Sequence, residues 1–180
     1  YTPSDRDEWQ KPDEVIAALA IQPGSHVADI GAGGGYFTYR LAEAVGPTGV
    51  TYAIDVDTDM TDYLEEETAE RGVENVTVIL AEYGDPLIPE SGVDLIFTSN
   101  TYHHIQDRTA YFERARRYLR PGGRLAVVEL NGSGWFSSWF DHNTPAETIR
   151  EELEAAGYQL DAEHDFLEQQ HFLVFSVKPG

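Results

Sequence analysis

The sequence predicts an α/β fold: a doubly wound, mostly parallel sheet with helices on both faces and an antiparallel C-terminal edge strand. Three observations predict it. Five short runs rich in Val, Ile and Leu alternate with segments whose apolar residues recur at three- and four-residue spacing, as buried parallel strands and crossover helices do. Gly31, Gly33, Gly34 and Gly35 crowd between the first run and the helix after it, at the strand end where such sheets hold ligands. Beyond the fifth run the alternation stops, and one helical pattern leads into two strand-like runs that can pair.

In chain order, residues 1–11 form an N-terminal extension, and "PDEVIAALAI" (12–21) opens a helix with Pro12, Asp13 and Glu14 in its first turn. The strands are 26–30, 50–55, 76–81, 93–99 and 124–130; the helices between them are 36–45, 60–72 and 108–119. Gly72 and "PGG" (121–123) stop the last two helices. In "TPAETIREELEAAGYQL", Thr144 is the expected N-cap, Pro145 the first helical residue and Gly157 the stop. "HFLVFSVKP" (171–179) is the last strand, with its partner around 158–166.

A chain of 180 residues suits one domain, 1–180, and is too short for a nucleotide domain plus a second catalytic domain. Its 12 Lys and Arg stand against 32 Asp and Glu, a formal charge of −20, and its lysines are Lys11 and Lys178. Such a surface repels nucleic acid and anionic membranes, so neither is an expected partner. The same balance suits a protein kept soluble in high salt, or an ordinary acidic enzyme. With no cysteine, the sequence excludes disulfides, thiolate zinc sites and cysteine nucleophiles. No apolar run is long enough to span a bilayer. The sequence starts at Tyr1, which is compatible with a removed leader or a trimmed chain, so a cytoplasmic location is the default expectation. The oligomeric state is left unassigned.

The glycines discriminate between ligands. A dinucleotide fingerprint G-x-G-x-x-G starting at Gly31 requires glycine at position 36 and meets Tyr36. The spacing is instead Asp29-x-Gly31-x-Gly33-x-Gly35, and Asp55 ends the second strand twenty residues beyond Gly35. "LAEY" (80–83) follows the third strand, "GVDLIFTSNTYHHI" (92–105) spans the fourth, and "LRPGGRLAVVEL" (119–130) leads through the fifth. In this order the chain resembles the class I, Rossmann-like S-adenosylmethionine (SAM) methyltransferases. The likeness is close over residues 12–130 and leans toward the small-molecule enzymes of the quinone-biosynthesis type.

That resemblance implies SAM as cofactor and a small-molecule methyl acceptor as partner. It implies that Gly31, Ala32, Gly33 and Gly35 let the methionine half of SAM approach bare backbone, with Asp29 holding the ammonium group through water. Asp55 would hold the ribose hydroxyls, Glu82 and Tyr83 the adenine, Val56 would be a further cofactor contact, and Asn100 would begin the loop beside the methyl donor. The cationic sulfonium suits an acid-lined pocket better than a pyrophosphate does.

Methyl transfer asks the protein to position the nucleophile and, where that nucleophile is a hydroxyl or amine, to remove a proton. Tyr102, His103, His104 and Glu129 are the candidate catalytic residues by position, with His104 favoured as base and the loop expected to border the acceptor rather than the adenine end. A metal site using the histidines with Glu129, Asp141 and His142 lacks the H-x-x-x-H or H-E-x-x-H spacing, so no metal is expected. Trp135, Phe136, Trp139 and Phe140 mark residues 131–145 as a candidate lid over a flat or apolar acceptor. Two alternatives remain: an NAD-dependent oxidoreductase, disfavoured by Tyr36 and by the lack of a Tyr-x-x-x-Lys pair, and a non-catalytic SAM-binding module. Arsenic methylation, which ordinarily needs cysteines, is not expected.

Overall fold

A computed structural model describes residues 3–133 and 143–180. Seven strands form one sheet: β1 (His26–Ile30), β2 (Val50–Asp55), β3 (Val76–Leu80), β4 (Val93–Ser99), β5 (Leu119–Leu130), β6 (Tyr158–His164) and β7 (Gln170–Val177). Their order is β3-β2-β1-β4-β5-β7-β6. The first five strands run parallel, and the order in which strands are laid down reverses between β1 and β4, the switch point of a doubly wound sheet. β7 is antiparallel to both β5 and β6. The antiparallel edge is therefore a two-strand unit in which the last strand inserts beside β5 and β6 takes the rim. This placement follows burial. The β7 run Phe172-Leu-Val-Phe is buried on both faces, whereas β6 alternates exposed and part-buried residues beyond Tyr158.

Successive residues of β5 point to opposite faces. Leu125 and Val127 join a core with Phe112, Ile149 and Leu153 from helices α5 (Arg108–Ala115) and α6 (Ala146–Ala155). Ala126 and Val128 join one with Val15, Leu19 and Leu41 from α2 (Pro12–Leu19) and α3 (Thr38–Val45). β5 begins earlier than expected: Leu119 already pairs with Val93, and the register then jumps so that Leu95 faces Arg124. "RPGG" is thus a bulge within the strand rather than a turn before it.

Three further boundaries depart from the sequence reading. Helix α4 (Thr58–Arg71) starts two residues early because the Asp57 side chain caps it, accepting the Asp59 N–H at 2.8 Å. Pro145 occupies the N-cap of α6, where Thr144 was expected. Residues Pro3–Gln10 form a helix, α1, within what was read as an extension. Its large apolar residue is Trp9, so no apolar face announces it, and polar contacts fasten it instead. The Tyr36 ring has the Arg6 guanidinium 3.7 Å and the Arg40 guanidinium 4.6 Å from its centroid, and the Tyr36 hydroxyl donates to Asp7 at 2.5 Å. The tyrosine that interrupts the dinucleotide fingerprint is thereby the anchor of α1.

Candidate functional site

The site forms where the parallel strands end. After Ile30 the chain turns through the glycines, and the N–H groups of Gly31 and Ala32 donate to the Ile54 carbonyl at 2.8 and 3.0 Å. Gly33 N–H donates to Asp55 Oδ2 at 3.0 Å, and Asp57 N–H to Asp55 Oδ1 at 3.1 Å. The end of β2 therefore holds the loop in place before any ligand arrives.

Each glycine is bare for its own reason. At Gly31, φ is +74°, and an added Cβ would lie 2.1 Å from Thr101 Oγ1. At Gly35, φ is +87°, and a Cβ would lie 2.6 Å from the Tyr39 ring and 3.2 Å from Leu64. At Gly33, φ is +55°, and a Cβ would meet nothing closer than the Gly31 carbonyl at 4.0 Å. Gly31 and Gly35 are crowded by protein atoms, and Gly31 also lines the cavity described below. Gly33 faces open space.

Asp29 is buried, and its carboxylate accepts the Thr38 hydroxyl at 2.8 Å, tying β1 to the first turn of α3. Burial raises its pKa to about 7, with the Asp55 charge pushing the same way and the Thr38 hydrogen bond opposing. It lies under the loop and outside the cavity wall, so the structure gives it a part in fixing the loop.

A cavity of about 460 Å³ opens at these strand ends, lined by Gly31, Asp55, Val56, Glu82, Tyr83 and Thr101 with His104 and Ile105. Asp55 accepts one hydrogen bond per oxygen from the protein, so each oxygen keeps a lone pair for a ligand hydroxyl. Glu82 and Tyr83 stand on a tight turn in which Glu82 and Asp85 exchange backbone hydrogen bonds at 3.1 and 3.3 Å. Arg117 and the Tyr118 hydroxyl hold the Asp85 carboxylate at 2.6 and 2.7 Å, which steadies a turn whose Tyr83 is 83% exposed. An open space at Gly33, a carboxylate at the end of β2 and acids around the cavity fit a nucleoside that carries a positive charge.

The loop after β4 divides its side chains. His104 is exposed and shares the cavity with Glu82 and Tyr83, so the loop does not stand clear of the expected adenine end. The His103 ring lies against that of His104, with the two centroids 4.0 Å apart, and reaches Glu129 as well. Its Nδ1 lies 2.8 Å from Glu129 Oε1, and its backbone N–H donates to Glu129 Oε2 at 2.8 Å. Glu129 is wholly buried, and its Oε1 also accepts the Leu130 N–H at 3.1 Å. Glu129 thereby holds His103 at both its backbone N–H and its ring Nδ1. The two histidines thus differ in setting: His103 is held by Glu129, and His104 lines the cavity.

Tyr102 is not part of this constellation. It is fully buried, its ring stacks on Phe112 at 5.6 Å, and its hydroxyl donates to Glu152 at 3.5 Å. Burial and the Glu152 charge raise its pKa, and it packs in the core against α5 and α6. Asn100 holds a left-handed backbone at φ +52°, and its amide oxygen accepts from Gln170 Nε2 at 2.8 Å. It stands beside β7 and outside the cavity wall. Among the described residues no group of three His, Asp or Glu is placed to hold a metal. Asp141, His142, Trp135, Phe136, Trp139 and Phe140, with most of the candidate lid, lie outside the described residues.

The methyltransferase domain family model matches residues 21–171. The chain belongs to this methyltransferase family. Among solved structures, a SAM-dependent methyltransferase from Aquifex aeolicus superposes on the domain with a TM-score of 0.84 at 27% identity, covering 97% of this chain and 93% of that one. The arsenite methyltransferase of Halobacterium salinarum is 30% identical over 63% of this chain and 29% of its own length. The demethylmenaquinone methyltransferase of Anoxybacillus flavithermus is 27% identical over 68% of this chain and 51% of its own. The chain thus spans about a third to a half of the curated relatives it matches. The methyltransferase domain has SAM as its cofactor, and the dehydrogenase alternative falls with the family match. No described helix of the methyltransferase is long and apolar enough to cross a membrane.

Proposed function

We propose that this chain methylates a small-molecule acceptor, with SAM bound across the β1 and β2 ends and the acceptor over the β4 and β5 ends. The observation that carries the reading is the buried His103–Glu129 pair, one strand away from a glycine loop whose Gly33 faces open space. Asp55 would take the ribose hydroxyls, Val56, Glu82 and Tyr83 the adenine, and the backbone of Gly31 to Gly33 the methionine half. When bound, SAM supplies an activated methyl group on a sulfonium sulfur.

The protein's own residues do the rest. Glu129 keeps the proton of His103 on Nδ1 and stabilises the imidazolium that forms when Nε2 takes a proton from an acceptor hydroxyl or amine. His103 is the proposed catalytic base, and Glu129 a positioning residue. The formal charge of −20 speaks against a nucleic-acid acceptor, and the absence of cysteine speaks against arsenic chemistry despite the name of one relative. The demethylmenaquinone methyltransferase among the relatives supports an acceptor of the quinone kind.

The test is incubation with methyl-labelled SAM and a small-molecule extract of cells. Label is expected in the small-molecule fraction. Tight SAM binding with no label transferred would mark a non-catalytic module, and label in protein or nucleic acid would contradict the acceptor class.

A further inference from the structure

Two glutamines are buried on the sheet face that carries α1, α2 and α3: Gln10 shows no exposure and Gln170 3%. Buried amides normally have their hydrogen-bonding atoms partnered. Gln10 does, since its amide oxygen accepts from Arg6 and its nitrogen donates to Ser99 Oγ at 3.3 Å. Gln170 does not. Its Nε2 donates to Asn100 Oδ1 at 2.8 Å, while its Oε1 is buried without a hydrogen-bond partner.

The position sharpens the anomaly. Gln170 is the first residue of β7 and faces Leu130 in register, at the C-terminal end of β5. Asn100 is the first residue after β4, where its N–H donates to the Val128 carbonyl at 2.8 Å in a left-handed conformation. The amide pair therefore spans the ends of β4, β5 and β7, over the half of the sheet that also carries Glu129. From Phe172 to Phe175 the strand is apolar and buried, so packing alone would place an apolar residue at 170.

We propose that Gln170, held in place by Asn100, is a specificity-determining residue for the methyl acceptor, its unpartnered oxygen accepting a hydrogen bond from a hydroxyl or N–H of a neutral small molecule. The proposal rests on the methyltransferase reading above and names the acceptor class for the same site. An oxygen acceptor selects a donor on the ligand. That oxygen gives an anionic group at this point nothing to pair with, and with no carboxylate beside it in the pair there is no counter-charge to favour a cation over a neutral donor. The ligand group read here is separate from the atom that is methylated, because the proposed base is His103.

The probes are a dihydroxynaphthalene and the matching monohydroxynaphthalene, titrated by calorimetry into the protein loaded with S-adenosylhomocysteine. Wild type is expected to favour the diol by about tenfold, the scale of one neutral hydrogen bond. Gln170→Met should reduce that preference to about threefold or less. Its S-adenosylhomocysteine affinity and thermal midpoint should stay near wild type, which a merely structural glutamine would not allow. Should Gln170→Met not fold, Gln170→Asn withdraws the amide by one methylene and must also lose the preference. Absence of diol binding, absence of a preference in wild type, or a preference unchanged in the variants overturns the proposal. Methyl transfer to the diol is scored separately. Binding that depends on Gln170 without transfer tells against the transferase reading and supports the subsite, and transfer without that dependence does the reverse.

Discussion

At the β1–β2 end the site is made of backbone: Gly31 and Ala32 hang on the Ile54 carbonyl, Gly33 hangs on Asp55, and open space adjoins Gly33. At the β4–β5–β7 end it is made of side chains brought from far apart, His103 with Glu129 and Asn100 with Gln170. Backbone sites tolerate variation in their surroundings and hold one ligand in many relatives, whereas side-chain sites change their specificity with single substitutions. The difference predicts that the two ends are separable: variants at one should leave the other working.

The largest effect is expected at the acceptor end. Glu129→Gln alters the carboxylate proposed to orient His103, and His103→Ala removes the proposed base. Each should lower turnover by about 10²-fold or more with S-adenosylhomocysteine affinity nearly unchanged. Steady-state kinetics beside calorimetry checks this, and an equal loss of cofactor affinity would break the separation.

A second contrast lies within the glycine loop. Gly31→Ala drives a methyl group onto Thr101 at a positive φ and should destabilise the fold by about 3 kcal/mol, read by urea unfolding. Gly33→Ala adds its methyl to open space and should cost only about 1 kcal/mol of stability while weakening S-adenosylhomocysteine binding. Equal destabilisation by the two would show that the space at Gly33 is not reserved for a ligand.

A third effect concerns Asp29, whose pKa rises from 3.8 to about 7 in the folded protein. Between these values the folded state keeps a proton that the unfolded chain releases. Stability should therefore fall as pH rises from about 4 to 7 and then level off. Asp29→Asn, which can still accept the Thr38 hydroxyl, should flatten that slope and match or exceed wild-type stability at pH 7.5. Urea midpoints at pH 5 and 7.5 measure it, and a slope unchanged in the variant would assign it to other groups.

The two ends also differ in how far the sequence reveals them. Asp29-x-Gly31-x-Gly33-x-Gly35 and Asp55 are legible because a strand, its turn and the next strand end are local and their spacing is fixed by geometry. The five parallel strands are legible for the same reason. Asp57 as a helix cap was readable too, since an acid directly before Thr58 is an ordinary N-cap signal. By contrast, the contact of Thr101 with Gly31 joins residues 70 apart, and nothing near Gly31 announces it. His103 and Glu129 were both candidates, but their pairing depends on β4 lying beside β5. Tyr102 packs on Phe112 while His103 reaches Glu129, because neighbours in a short loop share a sequence position and not a direction. Gln170 left one signal, a polar residue at the head of an apolar run. Helix α1 left none, because cation–π and hydrogen-bond contacts have no periodicity.

The central claim is that cofactor and acceptor ends are separate devices, and calorimetry of S-adenosylhomocysteine binding to Asp55→Ala and His103→Ala tests it most directly. The account predicts that Asp55→Ala weakens binding by about 1 to 3 kcal/mol, as a ribose hydroxyl loses its acceptor, while His103→Ala binds as wild type does. Unchanged affinity in Asp55→Ala, or a comparable loss in His103→Ala, would contradict it.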